Sequence, residues 1–145
     1  MKPLHYSVDI DAPRDRVWQV LWQDDTYGEW TRPFAPGSRA VGDWQQGSRI
    51  QFLDGEGSGM ESVIEKLVPN EYMSFKHIAE IQEGKVQPLD ERTSQWSGGH
   101  EDYTLAERDG RTTVNVDLEA PEEYTDMFND KFPQALRRLK EIAEE

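Results

Sequence analysis

The run Leu4-His5-Tyr6-Ser7-Val8-Asp9-Ile10-Asp11-Ala12-Pro13, followed at once by Arg14-Asp15-Arg16-Val17-Trp18-Gln19-Val20-Leu21, is where the fold first becomes legible. Leu4, Tyr6, Val8 and Ile10 alternate with polar residues, the period of a strand with one buried face. Asp11-Ala12-Pro13 ends it. Proline fits the first helical position, where its missing N–H costs nothing, and Asp15 puts a negative charge in the first turn. Val17, Trp18, Val20 and Leu21 then recur at helical spacing, which predicts a helix from Pro13 to Trp22.

Beyond this point the texture is mostly β, closed by a second helix. Residues 24–37 predict a short helix and then a loop, because Pro33 and Pro36 interrupt any longer element. Strands are expected at Ser38–Trp44, Ser48–Leu53, Met60–Val68 and Tyr72–Glu83. Gly55, Gly57 and Gly59 alternate but lack a following Lys-Ser/Thr, so the string reads as a turn and not a phosphate cradle. Residues 84–99 predict a longer loop. Glu101–Glu107 and Arg111–Glu119 flank Asp109-Gly110, a strong hairpin signal. From Pro121 onward, Tyr124, Met127, Phe128, Phe132, Ala135, Leu136, Leu139 and Ile142 recur every three or four positions and predict a long amphipathic helix to the C-terminus. Pro133 lies inside it. A proline costs about 3 kcal/mol in an ordinary helix interior, which predicts a kink near residues 129–133 or a helix that begins later.

Consecutive strands on short turns pair antiparallel. One face of such a sheet must be covered, and the last helix is the only element large enough. The expectation is one α+β domain over residues 1–145. A curved antiparallel sheet of about six or seven strands wraps around a long C-terminal helix, with short N-terminal helices beside it.

Composition narrows the function classes. The chain of 145 residues carries 16 Lys+Arg against 29 Asp+Glu, a formal charge of −13, which argues against nucleic acid and anionic membranes as partners. With no cysteine there is no thiolate catalysis and no Cys-ligated metal; the absence fits a reducing, cytoplasmic setting. No stretch is apolar enough for a signal peptide or for membrane insertion. Only 35% of the chain is hydrophobic, yet 5 Trp, 5 Phe and 5 Tyr can still enclose a core.

Several strings resemble one superfamily. Val8-Asp9-Ile10-Asp11-Ala12-Pro13 with Val17-Trp18-Gln19-Val20-Leu21 is similar to the strand, small-Pro step and helix start of START-like (SRPBCC, Bet v 1-like) proteins. Ser62–Pro69 with Tyr72-Met73-Ser74-Phe75 is a second match. The last hairpin, leading to Phe132-Pro133-Gln134-Ala135-Leu136-Arg137-Arg138-Leu139-Lys140, is a third. Within that superfamily the chain resembles bacterial relatives of the Hsp90-ATPase activator. The resemblance covers nearly the whole chain and implies a helix-grip fold with a cavity between sheet and long helix. It does not fix an activity, since the superfamily includes lipid carriers, receptors, cyclases and co-chaperone domains.

Alternation then nominates the wall of such a cavity. Met60 and Ser62 share a face with Ile64; Phe75 and His77 share one with Met73; Glu101 and Tyr103 share one with Leu105. Phe52, Phe128 and Phe132 would point into the same space, and Trp30 and Trp96 lie in segments that could lid its mouth. A few polar points in an apolar cleft are what small-molecule sites look like; the competing reading is a closed core. His77 is the residue that could orient a ligand or move a proton near neutral pH. His100, Glu101 and Asp102 with His77 do not match a metal motif, and no metal or other cofactor is called for. The leading reading is therefore binding of a small hydrophobic or amphipathic molecule. A polyketide cyclase or dehydratase-like enzyme using the same pocket stays open. So does an interaction module with a chaperone partner, or a homodimer.

Overall fold

The computed structural model describes residues 1–145. The order is β1 (Lys2–Ile10), α1 (Arg14–Trp22), α2 (Asp24–Trp30), β2 (Arg39–Gly42), β3 (Arg49–Leu53), β4 (Gly59–Val68), β5 (Tyr72–Gln82), β6 (Lys85–Val86), β7 (His100–Arg108), β8 (Arg111–Ala120) and α3 (Thr125–Glu144). All ladders are antiparallel, in the order β1-β8-β7-β5-β4-β3-β2, with the two-residue β6 added to β5. This is the helix-grip arrangement, with α3 against β1, α1 and α2.

Three details differ from the sequence reading. The strand expected over Ser38–Trp44 shrinks to Arg39–Gly42. Residues 84–99 are not all loop; they hold β6 and a 3-10 turn at Thr93–Gln95. The final helix starts at Thr125, after a 3-10 turn at Glu122–Tyr124, and runs through Pro133 as one helix to Glu144. The proline is tolerated because it and Asn129, whose carbonyl it leaves without a helical donor, both face solvent, where water can serve that carbonyl.

The core follows the pattern that opened the chain. Leu4, Tyr6 and Val8 lie opposite Leu118, Val116 and Val114, so β1 and β8 turn the same apolar face inward. Val17, Val20 and Leu21 of α1 and Ala135, Leu136, Leu139, Ile142 and Ala143 of α3 close over it, each at most 6% exposed. Surface bonds fix the angle of α3. Arg138 pairs with Glu29 of α2 at 2.6 Å, Arg16 donates to the Ile142 carbonyl, and the Asp11 N–H donates to Glu144. No helix is long and apolar enough to cross a membrane.

Candidate functional site

Between the sheet and the first turns of α3 lies a cavity of about 470 Å³. Its walls are aromatic: Trp22, Tyr27 and Trp30 from the N-terminal helices, Phe52 and Phe75 from the sheet, Phe128 and Phe132 from α3. Phe52 meets Phe75 edge to face at 4.9 Å, and Phe34 meets Phe132 the same way at 4.9 Å. These T-shaped contacts set the rings at angles that leave room between them. Gly59 begins β4 so close to β3 that a Cβ there would lie 1.7 Å from the Phe52 carbonyl oxygen, so only glycine fits at this edge.

The sheet side of the cavity is shaped by two bulges. Glu65 is an extra residue in β4 and Ile78 an extra residue in β5, so Ser62 pairs with His77 and Ile64 with Phe75 in a register offset from the pairs on either side. The bulge at Ile78 also changes which side chains face inward. Phe75 and His77 line the cavity, but the next residue to do so is Glu80, opposite Met60, and not Ala79. The His77 backbone is held on both sides: its N–H donates to the Gly99 carbonyl at 2.9 Å, and the Gly98 N–H donates to its carbonyl at 2.7 Å. Gly98 sits at φ +90, a conformation that glycine supplies without strain.

A polar string crosses this wall. The His77 Nδ1 lies 2.7 Å from the Ser62 hydroxyl, its Nε2 lies 3.2 Å from Glu101, and the Tyr103 hydroxyl donates to the other Glu101 oxygen at 2.5 Å. Glu101 faces inward because it pairs with Phe75 on one side and Leu118 on the other. Burial works against its charge, but hydrogen bonds from His77 and Tyr103 and the His77 charge outweigh that and hold its carboxyl below the usual glutamate range. Tyr103 and Tyr27 shift the other way: burial first, and then the Glu101 charge, push both hydroxyls up, so both stay protonated. At the mouth Arg92 donates to Glu80 at 2.7 Å, a bond that raises the guanidinium further. Asp54 accepts the Ser58 and Glu56 N–H groups, which lower its pKa, and so ties the turn beside the mouth.

The family model for Activator of Hsp90 ATPase homolog 1-like proteins matches residues 11–144. The chain belongs to this family. None of the curated proteins matches it. Among solved structures it is similar to the Aha1 dimer from Colwellia psychrerythraea, with a TM-score of 0.75 and 20% identity over 99% of this chain and 97% of that one. CalU16 from Micromonospora echinospora gives 0.67 and 16% over 99% and 76%. DynU16, a protein in the dynemicin biosynthetic locus, gives 0.72 and 15%; this chain is covered to 97% but spans 46% of that one. These likenesses show a shared fold, the helix-grip arrangement described above.

Of the residues nominated from the sequence, Trp30, Phe52, Met60, Phe75, His77, Trp96, Glu101, Tyr103, Phe128 and Phe132 line the cavity. Two placements differ in detail from the sequence reading. Trp30 is no lid: it lies in α2, is 1% exposed, and donates its indole N–H to the Leu21 carbonyl at 3.0 Å, so it forms floor. Ser62 is fully buried behind His77 and is not part of the lining; it reaches the cavity only through the imidazole. His100 and Asp102 face the opposite side of the sheet from Glu101, with His100 bonded to Glu65 and Asp102 to Ser74, so they do not converge with His77.

Sequence reasoning missed Tyr27, Phe34, Glu80 and Arg92. Tyr27, Trp30 and Phe34 recur at helical intervals, a signal that was available. Glu80 was hidden by the bulge, and nothing in the sequence marks Arg92. Chemically, the string fixes one carboxylate in an apolar wall and hands it an imidazole that can take or give a proton. The Trp22 indole N–H has no hydrogen-bond partner.

Proposed function

We propose that this domain binds a small hydrophobic or amphipathic molecule between its sheet and α3, with lipid-like molecules inside that class. The observation that carries this reading is the aromatic cavity of about 470 Å³ with a single polar string in its wall. Pockets of roughly 300–1,000 Å³ with few, placed polar groups are typical of ligand sites. Burial of apolar ligand surface gives roughly 25 cal/mol per Å² before the entropy of binding is subtracted. Glu101, His77 and Tyr103 orient the polar end. The reading includes a cytoplasmic setting, supported by the absence of cysteine.

Native mass spectrometry of protein purified gently from its source cells tests this. A reproducible adduct of small-molecule mass, lost on denaturation, is the expected result; a clean apo mass together with no uptake of apolar fluorophores would sink it. Turnover of the released molecule on return to the protein, lost in His77→Ala, would move the assignment to a cyclase-like enzyme.

Family membership favours a second reading, an interaction module with a chaperone partner or a second copy of itself. The Colwellia relative is described as a dimer. Gel filtration with the host Hsp90-type ATPase decides this reading: no complex and no change in ATPase rate would remove it.

A further inference from the structure

The charges around the cavity are unequal, and their pairing is the starting point. Glu101 is the carboxylate set into the wall, with its side chain 21% exposed. Glu80 is at the mouth and already pairs with Arg92, the one cationic side chain of the lining. Asp54 is bound to its own turn. Glu119 belongs to the mouth only by its place on β8; its carboxylate meets His100 on the far side of the sheet. An anionic head group therefore meets no unpaired cation.

The one basic side chain paired with the Glu101 carboxylate is the His77 imidazole at 3.2 Å, and no Lys or Arg reaches it. The His77 contacts need no charge on the imidazole, since Nε2–H can donate to Glu101 while Nδ1 accepts the Ser62 O–H. The carboxylate holds two protein hydrogen bonds, one on each oxygen. A carboxylate has about four lone-pair sites, so two remain for a ligand. Around it stand the rings of Tyr103, Phe75, Tyr27 and Trp30, whose faces attract cations. A charge of −13 on the whole chain further favours the approach of a cation.

We propose that the cavity selects amphiphiles carrying a protonated amine, whose N–H groups bind the Glu101 carboxylate, over neutral or anionic molecules with the same apolar body. This rests on the ligand-binding reading above. The amine takes over at Glu101 the counterion role open to His77, and the rings hold its apolar body.

Three probes with one naphthalene body separate the outcomes: 2-(2-naphthyl)ethylamine, 2-(2-naphthyl)ethanol and 3-(2-naphthyl)propanoate, titrated calorimetrically into the full chain near pH 7. The amine is expected to bind at least about tenfold more tightly than the alcohol, with the propanoate weakest. Glu101→Gln should erase that advantage and leave the alcohol within about twofold, whereas Glu80→Gln should preserve it. If the alcohol or the propanoate matches the amine in the unmodified protein, amine selection is wrong and ligand binding stands. If the preference survives in Glu101→Gln, or vanishes in Glu80→Gln, the assignment to Glu101 is wrong. If no probe binds, the ligand-binding reading itself fails. The ranking in the unmodified protein decides selection even if Glu101→Gln does not fold.

Discussion

From Ala135 to Ala143, α3 presses Ala135, Leu136, Leu139, Ile142 and Ala143 into the core, whereas from Thr125 to Phe132 only Phe132 is buried and Met127 is 40% exposed. The two halves of one helix meet the sheet on different terms. In the later half, two alanines let the helix backbone come close and branched side chains fill what is left. In the earlier half, Phe128 and Phe132, backed by Phe34, prop the helix away and leave the cavity. A helix anchored by one end can afford incomplete packing at the other, and that is how a domain this small carries an open interior.

Truncation should separate the halves most sharply. Leu139→Ala removes a fully buried side chain and should cost about 2–5 kcal/mol in urea unfolding. Phe128→Ala removes a half-buried ring beside existing space and should cost about 1 kcal/mol. Equal losses would break the comparison.

The junction gives the next effect. Pro133→Ala restores an N–H opposite the Asn129 carbonyl at an exposed position, and should stabilise the protein by about 2 kcal/mol. An unchanged urea midpoint would mean that solvent already satisfies that carbonyl in full.

The smallest effect is confined to acid pH. Because the folded Glu101 carboxyl lies below its ordinary value, its contribution to stability is complete above about pH 4.3 and is lost as pH falls through the lowered value. The gap in urea midpoint between the unmodified protein and Glu101→Gln should hold from neutral pH to about pH 4.3 and close as pH falls further. A gap that stays constant into strong acid would show that Glu101 is not held ionised in the open half.

The architecture was legible because its signals are long. Alternation in Leu4–Ile10, the Asp109-Gly110 turn and the helical spacing from Tyr124 to Ile142 each leave few other solutions. The cavity was legible wherever a strand keeps its period, which is why His77, Glu101 and Tyr103 fall on one wall. It failed where that period breaks. A bulge depends on how two strands meet, so Ile78 gives no sign in its own sequence that Glu80 will turn inward. Trp30 lines the cavity from its floor and not its mouth, because its indole N–H is tied to the Leu21 carbonyl of α1.

The bulges at Glu65 and Ile78 have opposite sense and cancel. Gly59 to Glu61 pair with Ile81 to Ala79, and Lys66 to Val68 with Ser74 to Tyr72, at one common offset; only Ser62 to Ile64 against His77 to Phe75 lie one residue out of step. In crystal language they are a dislocation pair enclosing a slipped island, with an undisturbed lattice beyond it. Removing either bulge alone would propagate the slip and swap faces along the strand. Removing both would realign the island and leave its surroundings in place. The slipped island carries Ser62, Phe75 and His77, so that part of the wall is one residue out of step while the sheet on either side keeps a single register.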